Sequence, residues 1–388
     1  MAEVFHPNDI RGLRFVEQAS FDAGDPGSGY AALRAYEIGM ELGITTIERA
    51  SQKPIGNRGM DTSVRGGKLG SLSFKLQLRP GSGVEPEWYK IAKNCGFSEV
   101  NGSAVSTTVT SATNDQFDAA SVSGMDEDMG LLISDGSNFA LRFVESISGN
   151  TVEVSHDWKT GYTPSNGDTV TGLRTLVPPQ DPGEPSSYLT FQVFVGAGAD
   201  QTLYTLTGCA GTMNIETIGV ESVPMVTFEF MIDSWVITTP GSQVTWSADT
   251  QQTPYPVLGS DLWVNDTELK TEEIAFNPGQ NMVPVTAFET NGRCGWRYLN
   301  SNPAPEIKPY ADSAWYERLV NGVTFRLNFE CIKDADEAWG LSVPAAEVVA
   351  VADEARSNDL QGNTPELVAR DPGFTGSHPK ALWRIAVS

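Results

Sequence analysis

Apolar and polar residues alternate along much of the chain, and the clearest case organises the rest. Leu72, Phe74, Leu76 and Leu78 alternate with Ser73, Lys75 and Gln77, the period-2 pattern of a half-buried strand. The following RPGSGVEPE (79–87) is rich in turn formers. Trp88, Ile91, Ala92 and Cys95 then fall at i, i+3, i+4 and i+7, one face of a short helix. Glu85 and Glu87 lie at its start, where carboxylates suit the helix dipole, and Gly96 supplies a stop. The predicted unit is strand, loop, helix.

A second copy is expected at Thr290 to Gly322. Trp88-Tyr89 and Trp315-Tyr316 are each followed by an Asn at the same offset, Asn94 and Asn321, a separation of 315 − 88 = 227 residues. The flanks correspond in kind. ITTIERASQKPIGNRGM precedes the first unit and TEEIAFNPGQNMVPV the second. Alternating YLTFQVFV (188–195) and GVTFRLNFE (322–330) follow, then LYTLTGCAGTMNIET (203–217) and AWGLSVPAAEVVAVA (338–352). PMVTFEFMI (224–232) and ALWRIAVS (381–388) close the two copies. The competing reading is one long all-β domain with a coincidental Trp-Tyr pair.

The expected fold is mainly β: two tandem β-sandwich or barrel modules, each with one short helix, plus an inserted small β-domain. Residues 1–30, with the glycine-rich FDAGDPGSGY, read as an irregular arm that orders on a neighbouring subunit. Module one takes 31–100 with 186–240, and RAYEIGMEL and GITTIER supply its first strands. Residues 101–185 hold short strands at regular spacing with Gly/Asn/Asp turns, ending in a Pro-rich linker, VPPQDPGEPSSY. Residues 241–256 are a polar linker and 257–388 module two, in which DEARSNDLQGNTPELVARDPGFTGSHPK reads as irregular. Gln52 to Val64 and Asn277 to Pro284 are excursions longer than tight hairpins need. Their residues Gln52, Lys53, Asn57, Arg58, Asn277 and Gln280 are candidates for contact between subunits, or else ordinary surface loops.

The formal net charge of −23 argues against gripping nucleic acid through basic patches. It suits solubility, or a surface that must repel DNA. No run approaches the length of a membrane span, and MAEVFHPNDIRG lacks a signal pattern, so a soluble protein made in a cytoplasm is expected. Cys95, Cys209, Cys294 and Cys331 form no CxxC or Cys/His cluster and read as reduced packing residues. His6, His156 and His378 stand outside HExxH and Gly-x-Ser-x-Gly contexts, and His156-Asp157 reads as a surface pair. The acids Asp126-Glu127-Asp128 and Asp334/Asp336/Glu337 miss calcium-loop spacing. No enzyme, cofactor or metal is expected.

The run GGKLGSLSFKLQLRPGSGVEPEWYKIAKNCGF, followed by LYTLTGCAGTMNIET and PMVTFEFMI, resembles the major tail tube proteins of long-tailed, siphovirus-type bacteriophages. Val257 through WRYLNSNPAPEIKP to ALWRIAVS is similar to the C-terminal half of their longer members. The Arg common in the family's Gly-x-x-Gly turn is absent, with Cys209 and Ala210 between Gly208 and Gly211.

The resemblance implies sandwich-like modules whose sheets join around a ring, and rings that stack into a virion tail tube assembled in a bacterial host. Tape measure, tail terminator and distal tail proteins are the implied partners. DNA passes through the lumen without specific binding. Two modules per chain would make a ring of three chains rather than six. Carboxylates lining the channel would repel phosphate, and Glu48, Glu216, Glu229, Glu272 and Glu330 are the candidates. Alternatives are a tail terminator, a capsid decoration protein, or an extracellular carbohydrate-binding or hydrolytic β-protein.

Overall fold

The computed structural model describes residues 10–50, 60–79, 85–159, 161–179, 183–196, 201–219, 222–239, 260–288, 291–299, 301–355, 361–375, 378–379 and 381–388. The molecule is mainly β. In the N-terminal part run β1 (Ile10–Gln18), β2 (Ala31–Leu33), β3 (Tyr36–Ala50), β4 (Met60–Gln77), α1 (Glu87–Lys93) and β5 (Ser98–Asn101). β6 (Ser106–Thr113), β7 (Gln116–Ala119), β8 (Gly130–Ser134), β9 (Phe139–Ser148), β10 (Thr151–Val154) and β11 (Thr169–Gly172) close into a barrel, in the order β10-β7-β6-β11-β8-β9. Closure leaves no free sheet edge. The chain returns through β12 (Arg174–Val177) to β13 (Tyr188–Val195), β14 (Thr202–Gly219), β15 (Met225–Ile232) and β16 (Ser234–Thr238).

The C-terminal part opens with β17 (Asp261–Val264), β18 (Thr267–Leu269) and β19 (Thr271–Asn277), then the hairpin β20 (Met282–Thr286) and β21 (Arg293–Tyr298). β22 (Ala304–Pro309), α2 (Ala314–Asn321), β23 (Phe325–Asp334), β24 (Glu337–Ala355) and β25 (Gln361–Ala369) follow. The short β26 (Phe374–Thr375) and β27 (His378–Pro379) lead to β28 (Arg384–Val387).

β14 serves two layers. Its first half pairs with β13 and β16, its second with β15 and β19. The change comes next to Gly208, at φ +62°, where an added Cβ would stand 2.9 Å from the Asp233 side chain. A glycine in this region lets the strand bend from one sheet into the other. One layer therefore holds β2, β1, β13, the start of β14, and β16. The other holds β3, β4, β15 and the end of β14. Between them Phe74 meets Phe191 edge-on at 5.7 Å, and Phe191 meets Phe230 at 4.8 Å. β24 bends likewise: its first half pairs with β23 and β28, its second with β25. β23 also pairs with β17, and β25 with β22, which pairs with β19. One apolar core runs through both parts, from Leu13 to Val387.

The barrel has its own core, with Val109, Phe117, Ile133, Val144, Val152 and Val170 all buried. It rests on the C-terminal part through Leu132, Leu141, Phe143 and Leu173 against Ala338 and Ala386. Reciprocal charges fix it: Arg142 of the barrel pairs with Glu330 at 3.1 Å, and Arg384 of the sheet pairs with Asp128 at 2.7 Å and with Glu145 at 2.5 Å.

Several expectations need correction. Residues 1–30 are not wholly an irregular arm: β1 packs Leu13 and Phe15 into the core and pairs with β13. The stretch 353–380 contains β25, whose Pro365, Leu367 and Ala369 face inward. RAYEIGMEL and GITTIER form one strand, β3, and β4 already begins at Met60, inside the expected loop. The barrel is smaller than the interruption, because its stems β5 and β12 pair with each other and β12 pairs with β28 in the large sheet. β28 therefore occupies a place unlike that of PMVTFEFMI, whose strand β15 lies between β14 and β4. His156 is not a surface residue; it is buried against Trp263, ring centroids 5.0 Å apart.

Candidate functional site: an acidic sheet face between two open edges

Eight strands form a continuous run, β3-β4-β15-β14-β19-β22-β25-β24. Its inner face is set by period-2 alternation: Leu72, Phe74 and Leu76 on β4, Val226, Phe228 and Phe230 on β15, Ile274 and Phe276 on β19, Pro305 and Ile307 on β22. The alternate residues face away from the core. Glu229 stands opposite Ser73 and Thr212, and Glu41 opposite Ser71. Glu306 stands directly opposite Glu366, both exposed. Among the described residues few cations offset these acids. Lys75 pairs with Glu37 at 2.6 Å and Glu216 at 2.9 Å, and Lys308 pairs with Glu273. Hydrogen bonds to Glu37 and then Glu216 raise the Lys75 pKa. Burial pushes the Glu216 carboxyl upward, but the Thr227 hydroxyl and Lys75 outweigh it, and its pKa lies below the ordinary value. The barrel sits on the opposite layer, against β17, β23 and β28.

Among the described residues both ends of this run are open. β3 pairs with β4 alone, and beyond Ala346 β24 pairs with β25 alone. An open edge presents unpaired N–H and C=O groups, a template for another strand.

Of the acids named from sequence, Glu216 and Glu229 lie on this face. Glu48 is carried by β3, with its side chain outside the described residues. Glu272 is half-buried and lines a cleft with Ser260, Leu262, Leu269 and Phe329. Glu330 does not face a channel. It is buried at 4 %, accepts hydrogen bonds from the Leu141 N–H at 2.9 Å and Trp263 Nε1 at 3.1 Å, and pairs with Arg142. The barrel covers the face of β23 that alternation would leave to solvent. Glu37, Glu41, Glu273, Glu306 and Glu366 were missed. For Glu306 and Glu366 the signal was present in APEIKP and TPELV, where the prolines disguise strands whose acids alternate with buried residues.

The loop candidates divide. Gln52, Lys53, Asn57 and Arg58 lie outside the described residues. Asn277 is exposed and accepts the Gly279 N–H at 2.8 Å. Gln280 is engaged within the chain, donating through Nε2 to the Cys95 carbonyl just after α1. It belongs to a docking of the β20–β21 hairpin across the N-terminal part. Trp296 Nε1 donates to the Gly208 carbonyl at 2.8 Å, the Tyr298 hydroxyl to the Gly211 carbonyl at 2.7 Å, and Arg293 Nε to Asp233 at 3.0 Å. Gly96, at φ +76°, lies flat against Tyr298, where an added Cβ would stand 2.4 Å from the ring.

Among the described residues no group of three His, Cys, Asp or Glu side chains is placed to hold a metal ion, and no helix is long and apolar enough to cross a membrane. Cys95, Cys209 and Cys331 are buried, and Cys294 is exposed. No protein family model matches the chain, and no curated protein matches it.

Proposed function

We propose that this chain is a structural subunit of a hollow tube, a phage tail tube protein built as two tandem modules. The observation that carries the reading is a recurring ladder. β2-β1-β13-β14-β15-β4-β3 has its counterpart, neighbour for neighbour, in β18-β17-β23-β24-β25-β22-β19. β16 flanks the first half of β14 as β28 flanks that of β24. α1 follows β4 as α2 follows β22.

The two modules join edge to edge, β14 to β19, with Ile215 opposite Phe276 and Ile218 opposite Ile274. The open strands at the two ends, β24 and β3, are the counterparts of that joined pair. Repeating the joint between chains is a head-to-tail contact, which closes into a ring when the rotation allows. Closure removes the edges. The acidic face then lines the channel, where it supplies no counterion-release affinity for DNA, and the barrel decorates the outer wall. A ring of six modules takes three chains.

Negative-stain electron microscopy of the purified protein at rising concentration tests this. Rings or hollow tubes with threefold chain symmetry are expected. Monomers at every concentration, or six chains per ring, would overturn it.

A further inference from the structure

We infer that the exposed C-terminal end of α2 is the seat for the β3–β4 hairpin of a second copy of this chain. This rests on the tandem-module reading and names a contact that the open sheet edges alone do not. The two helices differ in what covers them. On α1, Trp88, Tyr89, Ile91 and Ala92 are all buried. On α2 only Trp315 is buried, while Tyr316 is 40 % exposed and Val320 83 %.

The offset of 227 residues sets Tyr89 against Tyr316, Lys93 against Val320, Cys95 against Gly322 and Gly96 against Val323. Cys95 and Gly96 are the residues that Gln280 and Tyr298 cover, from the excursion between β19 and β22. Val323, the counterpart of Gly96, is 55 % exposed, and Val349 on the open part of β24 is 38 % exposed. Exposed valines thus stand where the matching site in module one is roofed by a hairpin.

In module one the paired strands β3 and β4 take the place that β19 and β22 have on either side of that roof. β3 and β4 run as one ladder from Tyr36↔Lys75 to Ala50↔Met60. Ile44 follows Met40 and Leu42 on the same side of β3, yet it is 36 % exposed, whereas Met40 and Leu42 pack against the core. Among the described residues, the apolar hairpin side and the apolar helix end each lack the cover that its counterpart has. A second copy adding its β3 to β24, antiparallel as β19 adds to β14, carries Ile44 toward Val320 and Val323.

The test is a cysteine pair, Ile44→Cys with Val323→Cys, in a Cys294→Ser background so that the exposed native thiol does not compete. Mild oxidation of assembled protein is expected to give a ladder of linked chains on a non-reducing gel, and neither single variant gives one. Independently, Val320→Lys with Val323→Lys is expected to raise the concentration needed for assembly about tenfold or more, with the thermal unfolding midpoint of the monomer unchanged, since both side chains are exposed. Wild-type tubes combined with an unlinked cysteine pair and normal assembly of the double-lysine variant would overturn this inference alone. A wild-type chain that never assembles would overturn the tube reading and this inference with it.

Discussion

Glu330 follows Leu327 and Phe329 on β23 and reads in the sequence as the polar half of an alternating strand. Alternation separates two faces without saying what lies on each, and here a barrel inserted far upstream covers the second. The result is a buried ion pair with Arg142. Removing one partner strands the other charge, so Glu330→Ala is expected to cost about 3–5 kcal/mol in urea unfolding, while joint Arg142→Met and Glu330→Leu costs far less. Gly96 makes a second residue-scale case. Its φ of +76° and its contact with Tyr298 predict that Gly96→Ala destabilises by at least about 1–3 kcal/mol in the same measurement. Gly96 was readable as a helix stop, but its second duty under Tyr298 was not, because that ring arrives from β21, a strand much further along the chain. His156 stands beside Arg142 and Arg326 in the same interface; burial first, then those charges, hold its pKa well below the ordinary value. The unfolded chain therefore takes up the proton more readily, and stability falls as pH drops below about 6.5. The unfolding free energy of wild type should decline from about pH 7 to pH 5 more steeply than that of His156→Gln, by at most about 1.4 kcal/mol per pH unit. Parallel profiles would rule this out.

At the scale of elements, the strands that alternate cleanly were legible. β4, β13 and β15 carry their apolar residues at every second position with no proline inside. α1 was placed by a buried Trp with apolar residues three and four positions on, and α2 by its Trp-Tyr pair with an Asn at the matching offset. β1 and β25 were harder. In β1 only two apolar residues, Leu13 and Phe15, are buried among the described side chains, beside half-buried Arg14 and Val16 and a buried Gln18. β25 contains Pro365, and a proline demotes a strand unless its missing N–H faces away from the ladder. β14 and β24 hid a different fact: each is one long strand that changes sheets, and pairing is not written in periodicity. The stems of the barrel are another such case. β5 and β12 pair as Asn101↔Arg174 and Val177↔Ser98, so the stems form a ladder independent of what they carry. Replacing residues 103–173 by a short Gly-containing turn is expected to leave a folded chain, and under the tube reading one that still assembles, since the barrel lies on the layer opposite the acidic face. Electron microscopy of that deletion, with circular dichroism to report folding, checks it.

For the whole molecule, charge and connectivity matter most. A net charge of −23 means that copies repel as they approach. Screening shortens that repulsion to about 8 Å at physiological ionic strength and about 3 Å near 1 M salt. Assembly is therefore expected at lower protein concentration in high salt than in low, read by sedimentation; the opposite trend would point to ion pairs holding the copies together. The acidic face itself was only half legible. Glu216 and Glu229 could be named from their strands, whereas Glu306 and Glu366 face each other only because β22 and β25, distant in sequence, are neighbours.

The β14–β19 joint has a kinetic consequence. Because both strands belong to one chain, every second joint in the proposed ring forms within a molecule, at the effective concentration that the connecting segment imposes. Only the alternate joints draw on free protein. A ring nucleus is then a third-order rather than a sixth-order event in chain concentration, so the lag before tubes appear should lengthen gently on dilution instead of collapsing at a sharp threshold.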